Sequence, residues 1–289
     1  AFDYFTLVQL YQFNYKGHED APGVPIITPE NAEEAAANGC ARSTVKETYE
    51  FILGDLNKAI ELLANTKKTR SDKRYVSLDV AYGIRARVHL TMHNYADALK
   101  DAEAALASTS SVPYSSAAVS KPTFIDIEDA SWMWGILITD KDRVSTTGIC
   151  NFPSHMGSLN YGYASVGGWR RISPKLYNQI PESDVRKGWF LDDTGVSVNL
   201  PAAAQAYITK KGAPVYTQVK YGPMNDEWGS NNNATDVILM RVEEMYLIKA
   251  EAQAMNNDVS GGVNTLNSFV NTYRDPSYKC TATTGEAVQ

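Results

Sequence analysis

The sequence predicts a mostly helical fold, a scaffold of tetratricopeptide-like helical hairpins that carries a long loop-rich insertion with short strands. Apolar residues recur at steps of three and four in segments 43–107 and 236–274, as in amphipathic helices. Between 108 and 235 this periodicity fades, and Gly, Pro, Ser, Asn and aromatic residues dominate. We expect one domain over 1–289, in which 1–107 and 236–274 form the scaffold and 108–235 form a ligand-binding insertion.

The clearest helix is predicted over residues 236–255, where Asp236 offers an N-cap and Asn256 begins the terminating turn. Its apolar stripe contains Ile238, Val242, Met245, Ile248, Ala252 and Met255. The charged residues off the stripe are expected on a solvated face: Glu243, Glu244, Lys249 and Glu251. A partner helix is predicted over 261–274, with Ala250 and Gly262 as the small residues where the two helices approach.

The rest of the scaffold is predicted upstream. Helices are expected over 1–15 and over 43–63, the second capped by Ser43 or Thr44 with Glu47 in its first turn. Residues 77–93 and 95–107 form a further hairpin. Its small residues fall where a tetratricopeptide repeat places its packing positions: Ala86, Ala98, Ala102 and Ala105.

The insertion is expected to hold little regular structure. Residues 132–138 and 215–220 are predicted as short strands. A short helix is expected within 177–190, ending near Asp184, Val185 and Arg186. Loops of this length on a rigid scaffold are a common location for binding residues.

Composition and motifs argue against several classes of function. The 289 residues carry a net charge of -6 and no basic stripe, so neither nucleic acid nor an anionic membrane surface is an expected partner. Cys40, Cys150 and Cys280 are far apart and lack a CxxC or zinc spacing, so no disulfide framework is indicated. No stretch reaches the roughly 18 apolar residues of a membrane span. The sequence shows no GxSxG elbow, phosphate-binding loop or zinc-hydrolase signature, so we expect neither an enzyme nor a cofactor.

Residue pairs that imitate metal or catalytic sites have simpler explanations. His89 and His93 lie four apart but lack the glutamate of an HExxH motif. Asp226 and Glu227 lie beside an asparagine run but lack the alternation of a calcium loop, so no metal site is expected. Glutamates on the 236–255 helix lie two turns apart at 244 and 251, too far for the paired carboxylates of a glycosidase.

The helix at 236–255 also resembles the hallmark helix of the SusD/RagB family, through the stretch RVEEMYLIKAEAQAM. Similar segments occur in the family's order: AFDYFTLVQLYQFNY with APGVPIIT, YEFILGDLNKAIELL, and VSLDVAYGIRARVHLTMHNYADALKDAEAAL. Asp184-Val185-Arg186 with Phe190, and Lys220-Tyr221, resemble two further family segments. The order of six motifs makes the resemblance specific.

The resemblance implies a surface-exposed outer-membrane lipoprotein of Bacteroidetes-type bacteria. Such proteins bind oligosaccharides, without catalysis, and deliver them to a TonB-dependent, SusC-like transporter; some relatives of similar fold handle peptides. Family members are commonly longer and begin with a lipobox cysteine. We therefore expect this chain to be truncated at both ends, and to reach the membrane only through a lipid anchor that it lacks.

Candidate ligand-binding residues cluster in the insertion. A sugar needs a flat aromatic face and planar polar groups, which Tyr161, Tyr163, Trp169 and Arg170 supply within a short glycine-rich stretch. Trp228 is a further candidate in a polar loop. The alternative for each ring is packing of the loop onto the helices, since Trp and Tyr are largely buried on average.

An alternative function is a helical-repeat adaptor that binds only protein or peptide. Its aromatic residues would then be structural. Exposure separates the two hypotheses: glycan binding predicts that Trp169 or Trp228 lies flat against solvent, and an adaptor predicts that both are buried. A glycoside hydrolase would need two carboxylates facing each other across a cleft, which the spacing does not support.

Overall fold

Helices make up most of the regular secondary structure of the computed structural model, which describes residues 1–66, 69–146 and 151–289. In chain order the elements are α1 (Phe2–Tyr11), α2 (Ala32–Asn38), α3 (Val45–Asn65), α4 (Leu78–Thr91), α5 (Tyr95–Ser108), α6 (Ser116–Val119), β1 (Trp132–Ile136), α7 (Arg143–Thr146), α8 (Phe152–Met156), α9 (Pro174–Tyr177), α10 (Ala202–Lys210), β2 (Val237–Arg241), α11 (Val242–Met255), α12 (Val259–Tyr273) and α13 (Gly285–Val288). Short 3₁₀ turns cover Tyr163–Ser165, Val185–Trp189 and Met224–Asp226. The predicted fold class is confirmed.

The scaffold is a row of packed helices. α4 packs against α5, α5 against α11, and α11 against α12, so hairpins distant in sequence become neighbours. α3 extends the row on α4, and α1 packs on α3. Their shared core buries Val8, Tyr49, Ile52, Val80, Ala98, Ala102, Met240, Met245 and Ala252. Burial of this apolar surface stabilises the helices, which alone would be marginal in water.

The start of α3 shows how local sequence sets an element boundary. The Thr44 hydroxyl accepts the backbone N–H of Glu47 at 3.1 Å, and the Glu47 carboxylate accepts the backbone N–H of Thr44 at 2.8 Å. This is the predicted capping box, and it satisfies two helix-terminal donors at once. The buried stripe that follows includes Tyr49, Ile52, Leu56 and Ile60, as the periodicity predicts.

The predicted close approach of α11 and α12 is present at Gly262. A Cβ atom at this position would lie 2.6 Å from the carbonyl oxygen of Ala250 and 2.8 Å from Cβ of Ala254. Only glycine fits that crossing without movement of the backbone. Asp258 caps the start of α12, and its carboxylate accepts the backbone N–H of Gly261 at 2.9 Å.

The predicted start of the 236–255 helix is wrong. Residues Val237–Arg241 form β2, which pairs antiparallel with β1 through Ile136 with Val237 and Trp132 with Arg241, and α11 begins only at Val242. Asp236 is no helix cap, because its carboxylate accepts the backbone N–H groups of Ile127 and Ile138, each at 2.7 Å. An apolar run with β-branched residues fits a strand when a partner strand is available. β1 itself confirms the strand predicted at 132–138.

The sequence predicts Glu243 on a solvated face, and this prediction is wrong. The side chain is buried, with 2 % of its surface exposed. It accepts the backbone N–H of Tyr114 at 2.9 Å and Nη2 of Arg274 at 3.1 Å. The Ser131 hydroxyl donates to the same carboxylate. A carboxylate that gains this many donors can remain buried, and these contacts join the insertion to the scaffold.

Other parts of the insertion also differ from expectation. Residues 215–220 form no strand; the structure gives them isolated bridges from Thr217 to Arg171 and from Gln218 to Phe190. Helical turns lie at α9 and at Val185–Trp189. The helix predicted to end near Asp184 is wrong in its position, because Asp184 is the N-cap of the second turn. Asp184 accepts from Arg186 in a tight pair, so the Asp-x-Arg segment caps the turn that follows.

Two smaller apolar clusters support the insertion. One contains Tyr114, Val119, Phe124, Ile127 and Trp132, and the other contains Leu159, Leu191, Ala204, Ile208 and Val219. Cys40 and Cys280 are free thiols, whereas Cys150 lies outside the described residues. Within the described ranges no helix is both long and apolar enough to cross a membrane.

Candidate functional site

Two ring pairs meet on the short helix α8. Asn151 caps this helix by accepting the backbone N–H of Ser154 at 2.8 Å. Phe152 and His155, three positions apart, project from it. The His155 ring stacks on Tyr163 with centroids 5.1 Å apart, and Phe152 meets Tyr221 edge to face at 5.4 Å. We call Phe152, His155, Tyr163 and Tyr221 the aromatic surface.

The loop after α8 lies against it because residue 162 has no side chain. A Cβ atom on Gly162 would lie 2.4 Å from Oγ of Ser154. The same hydroxyl accepts the backbone N–H of Tyr163 at 3.2 Å, and the carbonyl of Tyr163 accepts the N–H of Gly168 at 2.8 Å. The backbone is thus fixed while the rings remain open: Tyr161 is 47 % exposed and Tyr163 is 45 % exposed.

Tyr161 belongs to a second group beside α10. The Nζ atom of Lys211 lies 5.9 Å from the centroid of the Tyr161 ring and 5.7 Å from that of Tyr207. The Tyr207 hydroxyl donates to the carbonyl of Asn160 at 3.3 Å, and burial raises the pKa of this phenol. Gly229, with φ +82°, packs directly against the Tyr207 ring. A cation over the exposed Tyr161 ring suits a ligand with many hydroxyl groups.

Arg170 lies at the edge of the aromatic surface. Its Nε–H donates to the carbonyl of His155 at 2.9 Å, which orients the guanidinium, and its side chain is exposed. The Arg170 carbonyl accepts the N–H of Gln218 at 2.8 Å, and the Gln218 amide donates to the carbonyl of Met156. The loop 168–171 is therefore held to both α8 and the 217–221 segment.

Trp169 and Trp228 occupy a different position from the two tyrosines. Both are half-buried and pack against the cluster of Leu159, Leu191, Ala204, Ile208 and Val219. Neither lies flat against solvent and neither is fully buried, so their exposure does not separate a glycan-binding protein from an adaptor. Their role in binding stays a prediction.

Phe152, His155 and Tyr221 were not among the residues predicted to bind. Lys220-Tyr221 was noted only for its resemblance to a family segment. Nothing in the sequence brings 152, 163 and 221 together, because that meeting depends on the fold of the insertion. The i, i+3 spacing of Phe152 and His155 is the local signal that could have indicated one face.

Cavities also lie on the scaffold, lined by residues outside this surface. Among the described residues no cluster of three or more His, Cys, Asp or Glu side chains could hold a metal ion. A cavity of about 760 Å³ lies on the scaffold beside the end of α3, near Leu62, Tyr75 and Asp79. Another, of about 390 Å³, lies between α5, α11 and α12 and contains Tyr246 and Tyr273.

A family model and a curated relative that match this chain are both described as SusD-like. The model of the family SusD-like_3, "Starch-binding associating with outer membrane", matches residues 1–90. A protein of Formosa agariphila described as SusD-like protein P2 is 25 % identical over 301 residues, covering 95 % of this chain and 54 % of the relative.

Solved structures give the same fold over the whole chain. A SusD-like carbohydrate-binding protein from Bacteroides vulgatus matches with a TM-score of 0.76 and 25 % identity, covering 99 % of this chain and 55 % of that one. A SusD superfamily protein from Bacteroides thetaiotaomicron matches with a TM-score of 0.72 and 20 % identity, over 100 % of this chain and 59 % of that one. The chain thus spans a little over half the length of these relatives.

Proposed function

The chain is a member of the SusD-like family, and from this premise we propose that it binds an oligosaccharide or polysaccharide at a bacterial cell surface without catalysing a reaction on it. The observation that carries the proposal is the aromatic surface, in which a stacked His155–Tyr163 pair leaves the tyrosine ring open to solvent. Aromatic faces bind the CH-rich side of a pyranose, and Arg170 supplies a planar donor group for hydroxyl oxygens.

The residues that form the aromatic surface support capture rather than hydrolysis. Cleavage of a glycosidic bond generally needs two carboxylates on either side of it. The described side chains of this surface are aromatic or basic. Glu243, a deeply buried carboxylate of α11, is engaged by Tyr114, Ser131 and Arg274.

Localisation and partner follow from the family and are part of the proposal. The matching family description combines starch binding with association to the outer membrane. We infer a lipid-anchored protein on the cell surface that passes its ligand to a TonB-dependent, SusC-like transporter. The scaffold helices α3, α4, α5, α11 and α12 would contact the transporter, and the loops of the insertion would hold the glycan.

Affinity electrophoresis through gels containing soluble polysaccharides tests the glycan proposal. We expect retardation of the wild type by at least one polysaccharide, and Tyr163→Ala to weaken it by roughly five- to tenfold, as expected for loss of about 1 kcal/mol of aromatic contact. Trp169→Ala and Trp228→Ala, tested in parallel, show whether the half-buried tryptophans contribute.

Tyr75→Ala is the matched control, because Tyr75 is 55 % exposed but lies on the scaffold. It should leave retardation unchanged. Equal retardation of Tyr163→Ala and wild type would show that the aromatic surface does not bind the glycan. Absence of retardation by every polysaccharide, with retained fold, would contradict glycan binding.

A peptide- or protein-binding adaptor is the second candidate. The groove between α5, α11 and α12 favours it, since stacked Tyr246 and Phe269 rings (centroids 5.5 Å apart) line a cavity of about 390 Å³. If this function is correct, Phe269 and Tyr246 rather than Tyr163 would be the residues whose substitution abolishes binding. A peptide panel applied to the same variants separates the two functions.

A further inference from the structure

Lys220 has an unusual environment at the inner edge of the aromatic surface. Its Nζ atom lies 4.9 Å from the ring centroid of Tyr221, 5.4 Å from that of Trp189 and 5.9 Å from that of Phe124. Lys220, Trp189 and Tyr221 are each half-buried, so the group opens partly to solvent. Aromatic faces attract a cation but offer no hydrogen-bond acceptor of ordinary strength.

A second cation shares one of these rings. The guanidinium carbon of Arg241 lies 5.1 Å from the centroid of Phe124. Its Nη1 is fully buried and has no hydrogen-bond acceptor within the described residues; the nearest carboxylate oxygen, Oε1 of Glu243, is 3.4 Å away. A buried donor left without an acceptor costs about 1–3 kcal/mol.

The carboxylate beside Arg241 already accepts hydrogen bonds from other groups. Oε1 of Glu243 accepts from Tyr114 and from Arg274, and its other oxygen accepts from Ser131. Within the described residues, Arg241 and Arg274 therefore share Glu243 as their acidic partner. No ion pair of the described chain includes Lys220, so its charge is not neutralised by the protein.

The pKa of Lys220 reflects this imbalance. Burial lowers the pKa of the ammonium, and the like charge of Arg241 lowers it further. An acidic ligand group would raise the pKa of Lys220 against both effects, because it would neutralise the local positive charge and accept hydrogen bonds. The geometry of two cations on one aromatic cluster is independent of this argument and leads to the same ligand.

The cation group is continuous with the aromatic surface. Tyr221 contacts Phe124 at 5.7 Å on one side and Phe152 at 5.4 Å on the other. Phe152 is 39 % exposed and begins α8, which also carries His155. A glycan stacked on the aromatic surface would thus bring its next substituents towards Lys220.

We propose that Lys220, reinforced by the field of Arg241, binds the anionic group of an acidic sugar residue, so that the glycan captured carries carboxylate or sulfate groups. The inference rests on the proposed glycan binding and specifies its ligand class. Lys220 donates directly to the acidic group. Arg241 acts through its charge, and the Tyr221 and Phe152 rings contact the sugar.

Matched polysaccharide pairs test this proposal by affinity electrophoresis. Polygalacturonate is compared with its methyl-esterified form to test carboxylate, and κ-carrageenan with agarose to test sulfate. Wild type should bind at least one acidic member about tenfold more tightly than its neutral counterpart. Lys220→Met, which keeps the length and packing of the side chain, should abolish that preference, so that the acidic and the neutral member bind equally.

Lys46→Met is the control, since it removes the same charge from an exposed position on α3. It should keep the preference for the acidic member. The indole N–H resonance of Trp189 provides a local readout: acidic ligand should shift it in wild type and in Lys46→Met, but not in Lys220→Met. This signal distinguishes binding at Lys220 from a general effect of charge.

The outcomes separate this inference from the proposed function. Equal binding of acidic and neutral members in wild type would overturn the acidic-sugar inference and leave glycan binding intact. A preference that persists in Lys220→Met would also overturn it. Absence of binding to all four polysaccharides, in a protein with wild-type circular dichroism, would contradict glycan binding itself and the inference with it.

Discussion

His89 illustrates how the environment of one residue creates a dependence of stability on pH. Its ring lies between α4 and α5, with Nε2 3.8 Å from Asp101 and Nδ1 buried without a hydrogen-bond partner in the described chain. Burial lowers the pKa of the imidazole below its ordinary value of 6.5; Arg85 and Lys100 act in the same direction, and Asp101 and Asp97 oppose them. His89 therefore favours the neutral form in the folded protein.

The sign of the pH effect follows from proton binding. As the pH falls below 6.5, the unfolded chain gains a proton at residue 89 before the folded protein does, so acidification favours unfolding. We expect the free energy of unfolding to fall by about 1.4 kcal/mol for each pH unit between the unfolded and folded pKa values of His89. Urea unfolding of wild type and His89→Gln at pH 7.5 and 5.5 measures this.

His89→Gln should lose less stability than wild type over that interval. The control His18→Gln, which removes an imidazole from the loop before α2, should keep the wild-type dependence. An equal loss of stability in wild type and His89→Gln would show that burial of His89 is not a source of acid sensitivity.

At the residue scale, the sequence predicts Tyr161, Tyr163 and Arg170 as ligand-binding candidates, and the structure places all three at exposed positions of one loop. The sequence does not predict Phe152, His155 or Tyr221, which complete the aromatic surface. Local sequence indicates which residue types are available in a loop. The Phe152–Tyr221 contact joins residues 69 positions apart in the chain, a distance over which no local pattern encodes a partner.

At the element scale, two helical glycines have opposite surroundings. Gly262 in α12 lies against the backbone of α11, whereas Gly54 in α3 has no atom within 4 Å of the place where a Cβ would lie. A side chain is therefore excluded at the first position and accommodated at the second.

Substitution of these two glycines by alanine should change stability in opposite directions. Gly54→Ala should raise the free energy of unfolding by about 0.5–1 kcal/mol, because alanine favours the helix. Gly262→Ala should lower it by about 1–3 kcal/mol, because the new methyl group forces α11 and α12 apart. Urea denaturation of both variants measures the difference, and equal effects of the same sign would contradict the close crossing.

β2 is the element that sequence periodicity placed in the wrong class. Val237–Arg241 continues the helical stripe of α11 in sequence, but a helix would bury Ile238, whereas the strand buries Met240 and leaves Ile238 half-buried. Pairing with Trp132–Ile136 decides between them, because the strand hydrogen bonds become available only when the insertion has folded back on the scaffold. Asp236 then binds the backbone of the insertion instead of capping a helix.

At the scale of the whole molecule, Glu243 connects the scaffold to the insertion. It belongs to α11, yet its partners Tyr114 and Ser131 lie in the insertion and Arg274 ends α12. Together with the β1–β2 pair, this network should couple the two parts, so we expect one cooperative unfolding transition in calorimetry, as for a single domain.

Glu243→Ala should destabilise the whole molecule by about 3–5 kcal/mol, because it leaves the buried charge of Arg274 uncompensated. The transition should move as one, without a separate early phase. The control Glu103→Ala removes an exposed carboxylate that pairs with Lys249 at 2.9 Å, and should cost at most about 1 kcal/mol. Two separate transitions in wild type would contradict the single-domain prediction.

The sequence by itself determined the helical scaffold, the Thr44 cap of α3, the small packing residues and the family to which the chain is similar. Each of these depends on residues within a few turns of one another, where spacing alone decides which side chains share a face. The tertiary structure decided the β1–β2 pair, the burial of Glu243, the aromatic surface on α8 and the cations around Phe124. These features join segments far apart in the chain, and their energies come from contacts and burial that exist only after the insertion packs on the scaffold.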